Sequence, residues 1–320
     1  MDQRLQEVLR LNPFREKLVD GWTGSILNRA HDPFSEDVEN ANSAACVLEC
    51  DRSSVSLVNT RHSCYESPFH MHGEFLPHPF LGHPSAPIWM LLVNPSWCHV
   101  DVFDMLNVSQ EAVVYSESPL FDDPKQRAAV IDQDKTARFE HRLCLQQNQL
   151  LLREDAGFFP FDSSFETCAV GGSVSYGANG WWKKCLLGPG LPNFPFSAFR
   201  DVEDNESLGR KLFVLEFCPY RSRKFVPKTL KDINNGQSDY GRFWDELVRY
   251  AFEMQKIVVI RSTSNAKNNL IKNRLDELEL DYTSPNVTFL KSCQKVTLSR
   301  RNFENEQVCD LMRAILQAEN

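Results

Sequence analysis

Apolar residues along the chain fall into two kinds of run. The first kind is short and continuous: residues 88–93 (I-W-M-L-L-V), 212–217 (L-F-V-L-E-F), 257–260 (I-V-V-I) and 287–290 (V-T-F-L). Runs of this length with little polar alternation predict strands buried on both faces, as in a parallel sheet. The second kind recurs at helical spacing. Leu5, Val8 and Leu9 predict a helix near the start. Phe243, Trp244, Leu247, Val248 and Ala251 predict one over 240–254. Val308, Leu311, Met312 and Ile315 predict one over 306–318. Further helices are expected over 15–27, 126–153 and 266–278, and a short strand over 55–58. Strand alternating with helix predicts a three-layer α/β/α sandwich with a mostly parallel central sheet. Residues 79–320 form this α/β domain, and residues 1–78 a helical and loop extension packed on it. No internal repeat is evident.

The ends of the strands carry the candidate chemistry. Pro95 stops the first strand and biases Asn94 away from helix, so Asn94 is expected at the strand's carboxyl end. In open α/β sheets that end faces the ligand crevice. A carboxamide there is a candidate for catalysis; as a plain alternative, Asn serves well as a turn residue. Asp101 and Asp104 follow closely enough to flank the same crevice, or to be solvated loop acids. Leu212 to Phe217 repeats the design, ended by Cys218, Pro219 and Tyr220, with Arg221, Arg223 and Lys224 after it. Glu216 is an acid inside an apolar strand and needs a partner, from the protein or from a ligand. Gly and aromatic residues cluster in 157–182; exposed aromatics suit base stacking, and buried ones belong to a core.

Bulk properties narrow the classes. The chain has 320 residues, enough for one large α/β domain, and a net charge of -8. Residues 205–302 carry 18 Lys+Arg against 11 Asp+Glu, or +7, leaving about -15 for the rest. A basic region on an acidic protein suits guided contact with phosphates rather than indiscriminate adhesion; scatter over several solvated faces is the alternative. The ten cysteines are dispersed, several within apolar runs, which reads as a reduced, cytoplasmic protein. Cys46, Cys50, His62, Cys64, His70, His72, His78 and His83 invite a zinc reading, but the spacing is not that of a finger or ribbon, and no metal is expected. No run has membrane-spanning length and no secretory leader is evident.

Taken together, Leu92, Val93, Asn94, Pro95 and Ser96 resemble the first motif of the uracil-DNA glycosylase superfamily, in its G-x-N-P-G form. Ser299, Arg300, Arg301 and Asn302 resemble in position its second motif, a minor-groove loop after the last strand. Glu216 to Tyr220 falls where the superfamily places its base-reading residue. The resemblance spans about 79–315. It implies a uracil-DNA-glycosylase-like fold, DNA as partner, no cofactor, and hydrolysis of the N-glycosidic bond of a flipped-out base, in repair or against foreign DNA. Asn94, with Asp101 or Asp104 as general base, would direct water at C1′. Phe159 or Phe161 would stack on the base, with Glu216 and Tyr220 beside it. Arg221, Arg223, Lys224, Ser299, Arg300, Arg301 and Asn302 would hold the DNA. The chain departs from the family at Leu92 and Ser96, where the motif has Gly. It departs again in lacking His-Pro-Ser in the second motif and in Glu216, where the family has Asn. A carboxylate accepts a hydrogen bond from cytosine N4, which points to an amino-bearing base rather than uracil. Two alternatives stand: an α/β hydrolase acting on a nucleotide, and a non-catalytic nucleic-acid-binding protein.

Overall fold

The computed structural model describes residues 2–15, 46–61, 69–71, 77, 79–93, 209–220, 222, 224–261, 269–291, 298 and 300–318. The helix expected over 126–153, and all but the first residue of the one expected over 15–27, lie outside them. The described strands are β1 (Phe80–Leu81), β2 (Ile88–Leu92), β3 (Leu212–Glu216), β4 (Ile257–Arg261) and β5 (Val287–Leu290). They form one sheet in the order β1-β3-β2-β4-β5. β1 runs antiparallel to β3, and the other four strands are mutually parallel. The protein is therefore of the α/β class, with a mixed five-stranded sheet.

All five residues of β2 are buried, which is why its sequence lacks polar alternation. Its odd positions and its even positions serve different layers. Trp89 and Leu91, with Phe213, Leu215, Val258 and Ile260, face one core. Into that core pack α1 (Gln3–Arg10), α2 (Arg52–Arg61), α3 (Pro227–Ile233), α4 (Asp239–Glu253) and α5 (Leu270–Glu277). Ile88, Met90 and Leu92, with Leu212, Val214 and Val259, face a second core closed by α6 (Glu306–Gln317) through Val308, Cys309, Met312 and Leu316. Helices thus cover both faces of the sheet. Trp89 anchors the larger core: its indole N–H donates to the Ala86 carbonyl at 3.0 Å, and its ring meets Phe213 edge-on at 4.5 Å.

Four of the described helices, α1, α4, α5 and α6, begin where short polar side chains satisfy their first amides. Asp2, Ser238, Asn269 and Asn305 accept from Arg4, Gly241, Lys272 and Gln307. α4 and α5 end alike: Gln255 and Glu279 adopt positive φ, 51° and 56°, and the amides of Lys256 and Leu280 reach back to Ala251 and Leu275. This is the closure that glycine usually supplies. The strand expected over 55–58 is instead part of α2. Val55 and Val58 are β-branched, but they are three apart and buried together, and tertiary burial overrides their local preference. α1 and α2 share the sheet's larger core, and Arg4 ties α1 to Glu246 and Glu253 of α4 at 2.8 and 3.2 Å.

Gly82 makes the approach of β1 to β3 possible. Its φ is 76°, and a Cβ there would fall inside contact distance of the Leu212 carbonyl oxygen. Gly82→Ala combines left-handed strain with this overlap and should lower stability by at least about 2 kcal/mol. Urea unfolding followed by tryptophan fluorescence measures it, and an unchanged midpoint would contradict the account.

Candidate functional site at the carboxyl end of the sheet

Chain order among the parallel strands reverses at β2: β3 lies on one side of it, and β4 and β5 on the other. In sheets of this kind the ligand crevice opens outside the carboxyl ends flanking the reversal. Here those ends are Leu92 and Val93 of β2 and Arg261 of β4. Pairing with β3 continues past the strands: the amides of Phe217 and Cys218 donate to the carbonyls of Leu92 and Val93 at 2.8 and 2.9 Å. Asn94, the next residue in sequence, lies outside the described residues, as do Ser96, Asp101, Asp104, Phe159, Phe161, Arg221, Arg223 and Ser299.

Glu216 is described. It ends β3, pairs in register with Leu92, and is 3% exposed. Strand alternation puts its side chain on the α6 face, with Val214 and Leu92. The same alternation puts Arg261 on that face, one step beyond Ile260, which pairs with Leu91. An acid and a guanidinium thus occupy neighbouring strands on either side of β2, roughly 10 Å apart by strand spacing. Arg261 was not among the residues singled out by sequence. It follows an apolar run as Glu216 ends one, and that is the signal it carried. The backbone around Glu216 is held firmly: its amide donates to Pro79 O at 2.7 Å, Tyr240 Oη donates to its carbonyl at 2.5 Å, and Asn234 Nδ2 donates to the Phe217 carbonyl at 2.9 Å.

Tyr220, expected against a base, has a different environment. It is fully buried, and its hydroxyl donates to Asp51 Oδ2 at 2.7 Å while accepting from the Leu48 amide at 3.0 Å. Its ring fills core, and its polar tip satisfies two buried groups. Asp51 sits in a single 3-10 turn, Glu49–Asp51, ahead of α2. Burial pushes its carboxyl up to about 6, against the opposing pull of the Tyr220 and Cys50 hydrogen bonds. Burial likewise raises the phenols of Tyr220 and Tyr240 and the thiol of Cys218, and holds Cys50 up at about 11. Sequence reasoning missed Asp51 because nothing in Glu49, Cys50 and Asp51 distinguishes it from an ordinary acid at a helix start.

The expected DNA-contacting residues divide. Lys224 is exposed, 5.9 Å above the Phe69 ring. Arg301 is exposed. Arg300 pairs with Glu306 at 3.0 Å and Asp310 at 3.3 Å, all three half-exposed. Asn302 is buried rather than presented to a ligand, and its carbonyl accepts from the Lys291 amide at 2.7 Å. With the bridge between Leu290 and Phe303, that bond clips the Arg300–Asn302 turn to the carboxyl end of β5. Lys224 and Arg301 therefore follow the carboxyl ends of the two outermost parallel strands.

Among the described residues, no group of three or more His, Cys, Asp or Glu could hold a metal ion. Cys46 is buried and Cys50 exposed; His62, Cys64, His72 and His78 lie outside the described residues. No helix among the described residues is long and apolar enough to cross a membrane. Compared with protein-family models, curated proteins and solved structures, the chain matches none.

Tyr220→Phe strips Asp51 and the Leu48 amide of a partner at once. Loss of about 2–4 kcal/mol in stability is expected, since each buried polar group keeps its desolvation cost. A chemical-denaturation difference below about 0.5 kcal/mol would show the hydroxyl to be dispensable.

Proposed function

We propose that the protein is a DNA glycosylase with a three-layer, uracil-DNA-glycosylase-like fold, cleaving the N-glycosidic bond of a flipped-out, amino-bearing base. The observation that carries this reading is the reversal of strand order at β2, the strand whose carboxyl end runs directly into Asn94. Glu216 supports it, as a carboxyl at the end of the adjacent strand in register with Leu92.

The chemistry follows from the side chains. A carboxamide both donates and accepts, so Asn94 orients a water against C1′ of the sugar. Asp101 or Asp104 takes the water's proton as the bond to the base breaks. A positioned base contributes typically about 10²–10⁴ in rate. Glu216 accepts a hydrogen bond from an exocyclic amine, which uracil lacks. Lys224 and Arg301, exposed beyond β3 and β5, meet phosphates on the two sides of the crevice.

The test is abasic-site formation by the full chain on end-labelled oligonucleotides carrying uracil, cytosine or modified cytosines, read as alkali-dependent strand breaks. Cleavage of an amino-bearing substrate, reduced at least 100-fold by Asn94→Ala, is the expected result. Binding without cleavage would identify a non-catalytic binder, and neither binding nor cleavage a hydrolase of another substrate. Glu216→Gln should change the preference among bases by about tenfold or more while leaving DNA affinity within about twofold. Equal loss on every base would remove Glu216 from the pocket.

A further inference from the structure

Asp51 takes no part in that chemistry, yet at 1% exposure it is the most enclosed charged residue among those described. Its surroundings differ from those of Asp245, whose two carboxylate oxygens accept from Nε and Nη2 along one edge of the Arg274 guanidinium. Around Asp51, its own turn supplies Cys50, with Sγ 3.5 Å from Oδ1. The turn after β3 supplies Tyr220 and Cys218, and α4 supplies Asp239 and Tyr240. α3 buries Thr229, Leu230 and Ile233 and leaves Lys228, Lys231 and Asp232 exposed. Arg52 at the start of α2 is engaged with Glu49 at 2.6 Å. The described charged neighbour of Asp51 is thus another acid, Asp239.

One hydroxyl bridges the two parts of this arrangement, beside the apolar burial of Cys46, Val47 and Leu48 in the larger core. Tyr220 Oη accepts from the Leu48 amide and donates to Asp51, so it joins the 46–51 segment to the turn that follows β3. We propose that Asp51 is a proton-operated latch: neutral, it keeps the 46–51 segment docked on the Tyr220 turn, and ionised, it draws water and releases that segment. The inference does not depend on the glycosylase reading.

The sign follows from burial. The docked carboxyl titrates near 6 and a released one near 3.8. Docking is favoured most below about 3.8, weakens as pH rises towards 6, and is constant above it. The gap of about two units corresponds to about a hundredfold change in the docking equilibrium.

The experiment is amide hydrogen exchange at Leu48 in the full chain from pH 4 to 7.5, corrected for the intrinsic pH dependence, in wild type and Asp51→Asn. Wild-type protection should fall by up to about a hundredfold as pH rises, while the variant, which keeps a neutral acceptor for Tyr220, stays within about threefold. Amides of α5 serve as the internal control. Parallel profiles in the two proteins would overturn the latch. Should Asp51→Asn fail to fold, ¹³C carboxyl titration of wild-type Asp51 decides: a midpoint near 6 supports the proposal, and one near 4 ends it.

Discussion

β2 is paired on both edges and covered on both faces, and the rest of the described structure answers to that constraint. A central strand in this position can carry no polar side chain, so Ile88 to Leu92 are all apolar. Its partners are parallel, so each connection has to travel the length of the sheet. α4 and α5 make two of those return journeys, and both bury their apolar faces against the same side as Trp89. Among the described residues the other side is left to α6, which crosses from the β5 edge to the start of β3, where Lys211 Nζ donates to the Ala318 carbonyl at 2.6 Å. Polar chemistry is therefore excluded from the strands and concentrated where they end.

Three buried acids near those ends sit in three different surroundings. Asp245 has a guanidinium, and Gly236 leaves room for it: a Cβ at that position would intrude on Arg274. Glu216 is locked by its backbone, with Pro79, Tyr240 and the β2 pairing fixing where its side chain starts. Asp51 has hydrogen-bond donors but, among the described residues, no cation, so its proton becomes the cheapest partner. The first arrangement is structural. The second suits a site that must be rigid before a ligand arrives. The third makes docking of the N-terminal segment depend on acidity.

Much of this was legible in the sequence, for a physical reason. Buried parallel strands and one-sided helices leave strong patterns: β2, β3, β4, β5, α4 and α6 fall where apolar spacing put them, to within a residue or two, and α1 contains the Leu5, Val8 and Leu9 that predicted it. What the sequence hid is local. α2 carries β-branched residues at helical spacing, so propensity and periodicity disagreed and burial decided. α4 and α5 close on Gln255 and Glu279, where a reader looks for glycine. Tyr220 looked like a base-contacting residue because it follows a strand end. Only the fold brings Asp51 and Leu48, some 170 positions earlier, against its hydroxyl. Pairings of that sequence separation have no periodic trace.

The same distinction bears on the basic residues. Sequence supplied a positive balance over 205–302 without saying whether the charges meet. Lys224 and Arg301 come in sequence after β3 and β5, the two outermost of the parallel strands. Arg300 is differently placed, with two carboxylates of α6 within 3.3 Å. Exposed pairs of this kind are worth at most about 1 kcal/mol, so a phosphate can replace them. The replacement leaves Glu306 and Asp310 beside the phosphate, however, and their repulsion opposes what Arg300 gains. On the proposed reading, Arg301 and Lys224 carry the electrostatic attraction, and Arg300 fixes the turn that presents Arg301.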